Sequence, residues 1–173
     1  SFTDFIASSE YLIAERFTSR GKLAITGTSA GGLLVTGAAS MRPDLFQAVI
    51  AKSPMVQLFF PTTGKLGFMG ADFGDPNEKA VFDAMYTYSP YDQVRAKAYP
   101  HMLFTASQAD PRTGPSGAAK LVARLRAAGA STRMLLLKVE MGGGGHMGAA
   151  GRLDRLRETA LAYAFLFEAL QLT

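Results

Sequence analysis

Apolar residues follow two rhythms along this chain. Short, nearly unbroken runs occur at 22–27 (KLAITG), 47–52 (QAVIAK), 101–107 (HMLFTAS) and 132–139 (TRMLLLKV). Runs of that kind read as strands buried on both faces. The segments around them repeat with helical spacing. Residues 3–16 bring Phe5, Ile6, Leu12 and Ile13 to one face. Residues 30–41 are small and apolar, and the helix they predict stops before Pro43, because the residue preceding proline avoids the helical region. Residues 115–128 turn Leu121, Val122 and Leu125 inward and Lys120, Arg124 and Arg126 outward. The last helix carries Leu153, Leu156, Ala160, Tyr163, Phe167 and Leu170 at steps of three and four, the clearest periodicity in the chain.

Apolar strands alternating with helices predict an α/β fold, a mostly parallel sheet with helices on both faces. Residues 55–95, rich in Gly, Pro and aromatics, read as an excursion from that sheet. Within it, Phe59, Phe60, Phe68 and Phe73 form either a small satellite core or the lining of a substrate pocket. There is no internal repeat or low-complexity linker, so residues 1–173 are taken as one domain. A chain that opens on a helix and has only about four strands, against a mean sheet of about five or six, is expected to be the C-terminal part of a longer domain. An uncovered sheet edge would favour pairing with another copy.

Composition narrows the function classes. With 48% apolar and 18% charged residues the chain is globular, and its net charge of +4 is scattered rather than blocked, which argues against nucleic acid as a partner. The absence of cysteine excludes disulfides, thiolate chemistry and Cys-based zinc sites, and two histidines are too few for a His-rich metal site. No metal or cofactor is expected. No apolar run approaches the roughly 18 residues of a membrane span, so no membrane partner is expected. A cytoplasmic location is expected, with the periplasm as the alternative.

The chemistry begins at 25–34, ITGTSAGGLL. Ser29 lies in Gly27-x-Ser29-x-Gly31 between an apolar strand and a helix. A nucleophile on such a turn needs a strained backbone at the serine and small residues two before and two after, so that strand and helix approach closely. The turn lifts the hydroxyl above the sheet edge and aims the first N–H groups of the helix, beginning with Ala30, at a developing oxyanion. A serine hydroxyl also needs a base. His101 starts a strand and stands at the wrong end of the sheet, where an exposed or satisfied structural histidine is expected. His146 follows the last strand in MGGGGHMGAAG, where glycines can bring an imidazole over the sheet. The acid that fixes the histidine tautomer is sought after the third strand, at Asp110. Asp44 and Asp154 read as helix caps, Asp92 lies in a turn, and Asp72, Asp75 and Asp83 fall in the excursion. The order Ser29, Asp110, His146 is that of α/β-hydrolases.

These residues carry a resemblance. TGTSAGGLLVTGAASMRPDLFQAVIAKSPMV, YSPYDQV, YPHMLFTASQADPR and GHMGAAGR with a helix ending AYAFLFEAL resemble the prolyl oligopeptidase family, most closely its oligopeptidase B branch. The resemblance runs through essentially the whole chain. It implies the C-terminal portion of an α/β-hydrolase domain of a serine peptidase that cuts short peptides, without the family's β-propeller and the first strands of that domain. The missing N-terminal part of the parent chain would be a partner, and peptides the substrate. Ser29 matches the nucleophile, Asp110 the acid, His146 the base and the Ala30 N–H one oxyanion donor. Arg112 matches an arginine that holds a carbonyl of the bound peptide. Three departures accompany this match. Lys65-Leu66-Gly67 stands where the branch has glutamates that recognise a basic side chain. Thr113 to Gly117 replaces aromatic residues and an acid, and no tryptophan is present to stack on proline. Acylaminoacyl-peptidase or esterase specificity on the same triad is the alternative, as is an inactive self-associating fragment.

Overall fold

The computed structural model describes residues 1–59, 72–129 and 133–172. Helix α1 (Phe2–Ala14) and a 3-10 turn at Arg20–Lys22 lead into β1 (Ala24–Thr28), α2 (Ala30–Met41) and β2 (Ala48–Lys52). After the excursion, which contains α3 (Lys79–Tyr88), come β3 (His101–Ser107), α4 (Ser116–Ala127), β4 (Leu135–Glu140) and α5 (Arg152–Leu170). All four strands run parallel in the order β1-β2-β3-β4. Their register aligns Thr28 with Lys52 and Lys52 with Thr105, so the loops after successive strands emerge along one edge.

Alternation along the strands divides the core into two layers. Val49 and Ala51 of β2 join Met102 and Phe104 of β3 under Val35 and Ala38 of α2 and Leu121 and Leu125 of α4. Ala48, Ile50 and Leu103 point the other way, onto Phe165 and Ala169 of α5. Helices therefore cover both faces, as the unbroken apolar strands require. α1 packs on the first layer, with Phe5 against Phe46.

One open reading is decided and two need revision. The excursion contains α3, whose Met85 packs with Leu33 and Leu58, and with Phe59 and Phe73, in a separate small cluster. That is the satellite core; Phe60, Phe68 and Lys65-Leu66-Gly67 lie outside the described residues. In α5 the periodic stripe is not the face that meets the sheet. Leu153, Leu156, Tyr163 and Phe167 are exposed, while Ala162, Phe165, Leu166 and Ala169 pack inward. The helix is apolar on two sides, and the side that meets the sheet is the one carrying Ala162, Phe165, Leu166 and Ala169. Asp44 does not cap a helix: it follows α2, and its carboxylate is held by Arg42 and Arg20. The Arg42 hydrogen bonds bring its pKa down to about 2.

Candidate active site

Ser29 joins β1 to α2 with φ 58° and ψ −118°. A non-glycine residue at positive φ is strained and persists only when its surroundings over-determine it. Three backbone bonds do so: Ser29 N–H donates to Lys52 C=O (3.0 Å), and Ser29 C=O accepts from Leu33 N–H (3.1 Å) and Met55 N–H (3.1 Å). Glycine makes the turn possible. A Cβ on Gly27 would run into the carbonyl oxygen of Gly31. On the helix side the crowded position is Gly32, where a Cβ would stand 2.6 Å from Cβ of Pro54; one on Gly31 would meet nothing within 4 Å. The small residue that the close approach needs after the serine is thus Gly32 rather than Gly31, because the helix packs against the β2 exit loop through Gly32. Ala30, exposed, heads α2, where its N–H has no acceptor within the helix.

Asp110 follows β3 and its side chain is fully buried. Burial alone would raise its pKa, yet hydrogen bonds hold it at about 2. The Thr113 hydroxyl donates to Oδ2 (2.7 Å), His146 Nδ1 lies 2.9 Å from Oδ2, and the N–H groups of Arg112 (2.8 Å) and Thr113 (3.3 Å) donate to Oδ1. An ionised carboxylate only accepts, so the proton of the 2.9 Å bond sits on His146 Nδ1, the tautomer in which Nε2 is the acceptor of the neutral ring. That Nε2 is buried and has no hydrogen-bond partner among the described residues. Asp110 and His146 are therefore joined, while Ser29 stands at the same edge of the sheet without a hydrogen bond to His146 Nε2. His101 stands at the opposite end of β3, where its Nδ1 accepts from Met134 N–H (3.1 Å).

The glycine run before His146 is folded back on itself. Gly145 and Gly148 exchange backbone hydrogen bonds of 2.9 and 3.1 Å around the histidine. The buried Ser107 hydroxyl donates to Gly144 C=O, tying the loop to the end of β3. Gly148 has φ 96°, a conformation that favours glycine. Neither Ser107 nor the Thr113 hydroxyl stands out in the sequence as a site group. Asp110-x-x-Thr113 is a spacing at which a carboxylate and a hydroxyl close a turn, and that signal could have marked Thr113. Ser107 acts across 37 positions and has no local signature. Arg112 is exposed beside the acid. Among the described residues no group of three His, Cys, Asp or Glu side chains is placed to hold a metal ion, and no helix is long and apolar enough to cross a membrane.

Comparison with known proteins extends over the whole chain. The profile of the prolyl oligopeptidase family matches residues 1–173. Protease 2 of Moraxella lacunata is 42% identical over 98% of this chain and 25% of its own. The structure of oligopeptidase B from Leishmania major superposes with a TM-score of 0.93 at 36% identity, covering 98% of this chain and 24% of that one. Oligopeptidase B from Trypanosoma brucei, solved with covalently bound antipain, gives a TM-score of 0.93 at 38% identity, with the same coverage. The chain spans about a quarter of the length of these relatives.

Proposed function

This chain belongs to the prolyl oligopeptidase family, and on that footing we propose that it is the C-terminal part of the catalytic domain of a serine peptidase that cuts short peptides. Ser29 is the nucleophile, His146 the general base and Asp110 the residue that orients it. The Ser29 hydroxyl attacks the scissile carbonyl carbon while its proton passes to His146 Nε2. The carbonyl oxygen takes up negative charge beside the Ala30 N–H. Collapse of the tetrahedral intermediate breaks the C–N bond as His146 returns the proton to the leaving amine. Water then attacks the acyl-enzyme by the same route and frees Ser29. Arg112 contributes by holding a carbonyl of the bound peptide, a task suited to its planar fork of donors. The rest of the parent chain is the partner that completes the site, and the enzyme works in the cytoplasm, which cell fractionation checks.

The observation that carries this reading is the buried Asp110–His146 bond. It leaves the unpartnered Nε2 as a base at the edge of the sheet where Ser29 sits on its strained turn. A buried, unpaired nitrogen calls for a functional explanation, and a base awaiting a proton supplies one. In the full-length protein, Ser29→Ala should abolish labelling by a fluorophosphonate probe and lower peptide hydrolysis by roughly 10⁶-fold in kcat. Equal labelling of the variant would reject the assignment. Lys65-Leu66-Gly67, in place of acidic residues, favours acylaminoacyl-peptidase or esterase specificity as the second reading. kcat/KM over a panel of peptides and short esters separates the two, and strong preference for Arg at the cleaved bond would reject the second.

A further inference from the structure

Three charged side chains meet beneath the histidine loop. Lys138 Nζ, on β4, lies 3.2 Å from Glu140 Oε2 and 3.4 Å from Glu158 Oε1, the latter on α5. Each carboxylate uses its other oxygen on the loop backbone. Glu140 Oε1 accepts from Gly142 N–H (2.8 Å), where the chain enters the loop. Glu158 Oε2 accepts from Ala149 N–H (3.1 Å), where the chain leaves it. The partly exposed ion pairs contribute little by themselves. Their arrangement matters more, because one cation holds the two carboxylates that grip the two ends of the segment carrying His146.

The fit around Glu158 is close. A Cβ on Gly148 would collide with Glu158 Oε2, and Ala149 is buried. A loop with four consecutive glycines loses more conformational freedom on ordering than any other composition. Asp110 anchors only the imidazole, and the Gly145–Gly148 pair only the tip. The two carboxylates tie both ends of the loop to β4 and α5, with Ser107 holding Gly144 to the end of β3.

We infer that Glu158 is a positioning residue for His146: by accepting from Ala149 N–H, it sets where the imidazole stands above the sheet. The inference rests on the reading of His146 as the general base. The experiment uses the full-length protein and compares the wild type with Ser29→Ala, Glu158→Ala and Glu158→Gln, by fluorophosphonate labelling rate and by kcat and KM on a short peptide. Groups that orient an active-site histidine typically change activity by about 10- to 100-fold. Glu158→Ala should lower the labelling rate and kcat by about that factor with KM within about twofold, because binding is untouched. Glu158→Gln keeps an acceptor for Ala149 and should recover most of the loss. Wild-type rates in Glu158→Ala overturn the inference, as does an equal loss in Glu158→Gln. Should Glu158→Ala fail to fold, Glu158→Asp, which keeps the charge but is one methylene too short to reach Ala149, carries the test with the same two outcomes. Undiminished labelling of Ser29→Ala sinks the triad itself, a result separate from any behaviour of Glu158.

Discussion

The turn that carries Ser29 and the loop that carries His146 are both held in place, by different means. At 27–32 the backbone is held by backbone hydrogen bonds, from Ser29 to Lys52, Met55 and Leu33, and by the absence of side chains: Gly27 fits against Gly31 C=O, Gly32 against Pro54, and Ser29 is locked at positive φ between β1 and α2. At 142–149 the backbone is richer still in glycine, but its place is set by side chains from elsewhere. Asp110, Ser107, Glu140 and Glu158 arrive from β4, α5 and the end of β3. Precision in the first region is steric and made by backbone alone. In the second it is borrowed from side chains of other elements, so single substitutions can remove it.

The difference can be broken from either side. The largest effect is expected at the borrowed end. Asp110→Asn should leave the fold intact and lower kcat by about 10⁴-fold, since an amide no longer enforces the tautomer that leaves Nε2 free; steady-state peptide hydrolysis measures it. A loss below tenfold would mean that the loop orients His146 without its acid. At the steric end, Gly27→Ala should destabilise the domain by about 3 kcal/mol through overpacking. Gly31→Ala, whose Cβ meets open space inside α2, should leave stability unchanged or raise it by up to about 1 kcal/mol. Urea unfolding of the two variants checks the contrast, and equal losses would refute the assignment of Gly27 as the crowded position.

A smaller effect is expected from pH. The folded pKa of Asp110, about 2, lies below its ordinary value of 3.8. As pH falls the unfolded chain takes up this proton first, so the contribution is complete above about pH 5 and disappears as pH drops through about 2. It amounts to about 2 kcal/mol. The gap in unfolding free energy between wild type and Asp110→Asn should narrow by that amount as pH falls through this window.

The same contrast explains what could be read from the residues alone. The four strands and the helices α1, α2, α4 and α5 follow from apolar periodicity, with boundaries displaced by up to three residues at either end. The strand–turn–helix around Ser29 is legible because Gly27, Ser29, Gly31 and Gly32 are neighbours in the chain, although the bonds to Lys52 and Met55 that hold it are not. α3 was hidden: its turns carry Val81, Met85 and Tyr88 at helical spacing, but only Met85 is buried, and the surrounding Gly, Pro and aromatic residues mask so short a pattern. The orientation of α5 was not legible either, since periodicity finds an apolar stripe without saying which of two apolar sides the sheet will take. The clamp on the histidine loop joins Glu158 to Lys138 across 20 positions, and three charged residues at that spacing resemble any solvated surface until the fold brings them together.

The central claim is that Ser29 is a nucleophile activated by His146, and mapping a covalent label tests it most directly. After the full-length protein reacts with a fluorophosphonate probe, proteolysis and mass spectrometry should find the adduct on the peptide containing Ser29 and on that residue alone. In His146→Ala the adduct should fall to background. An adduct on another residue, or one formed at an undiminished rate in His146→Ala, would contradict the account.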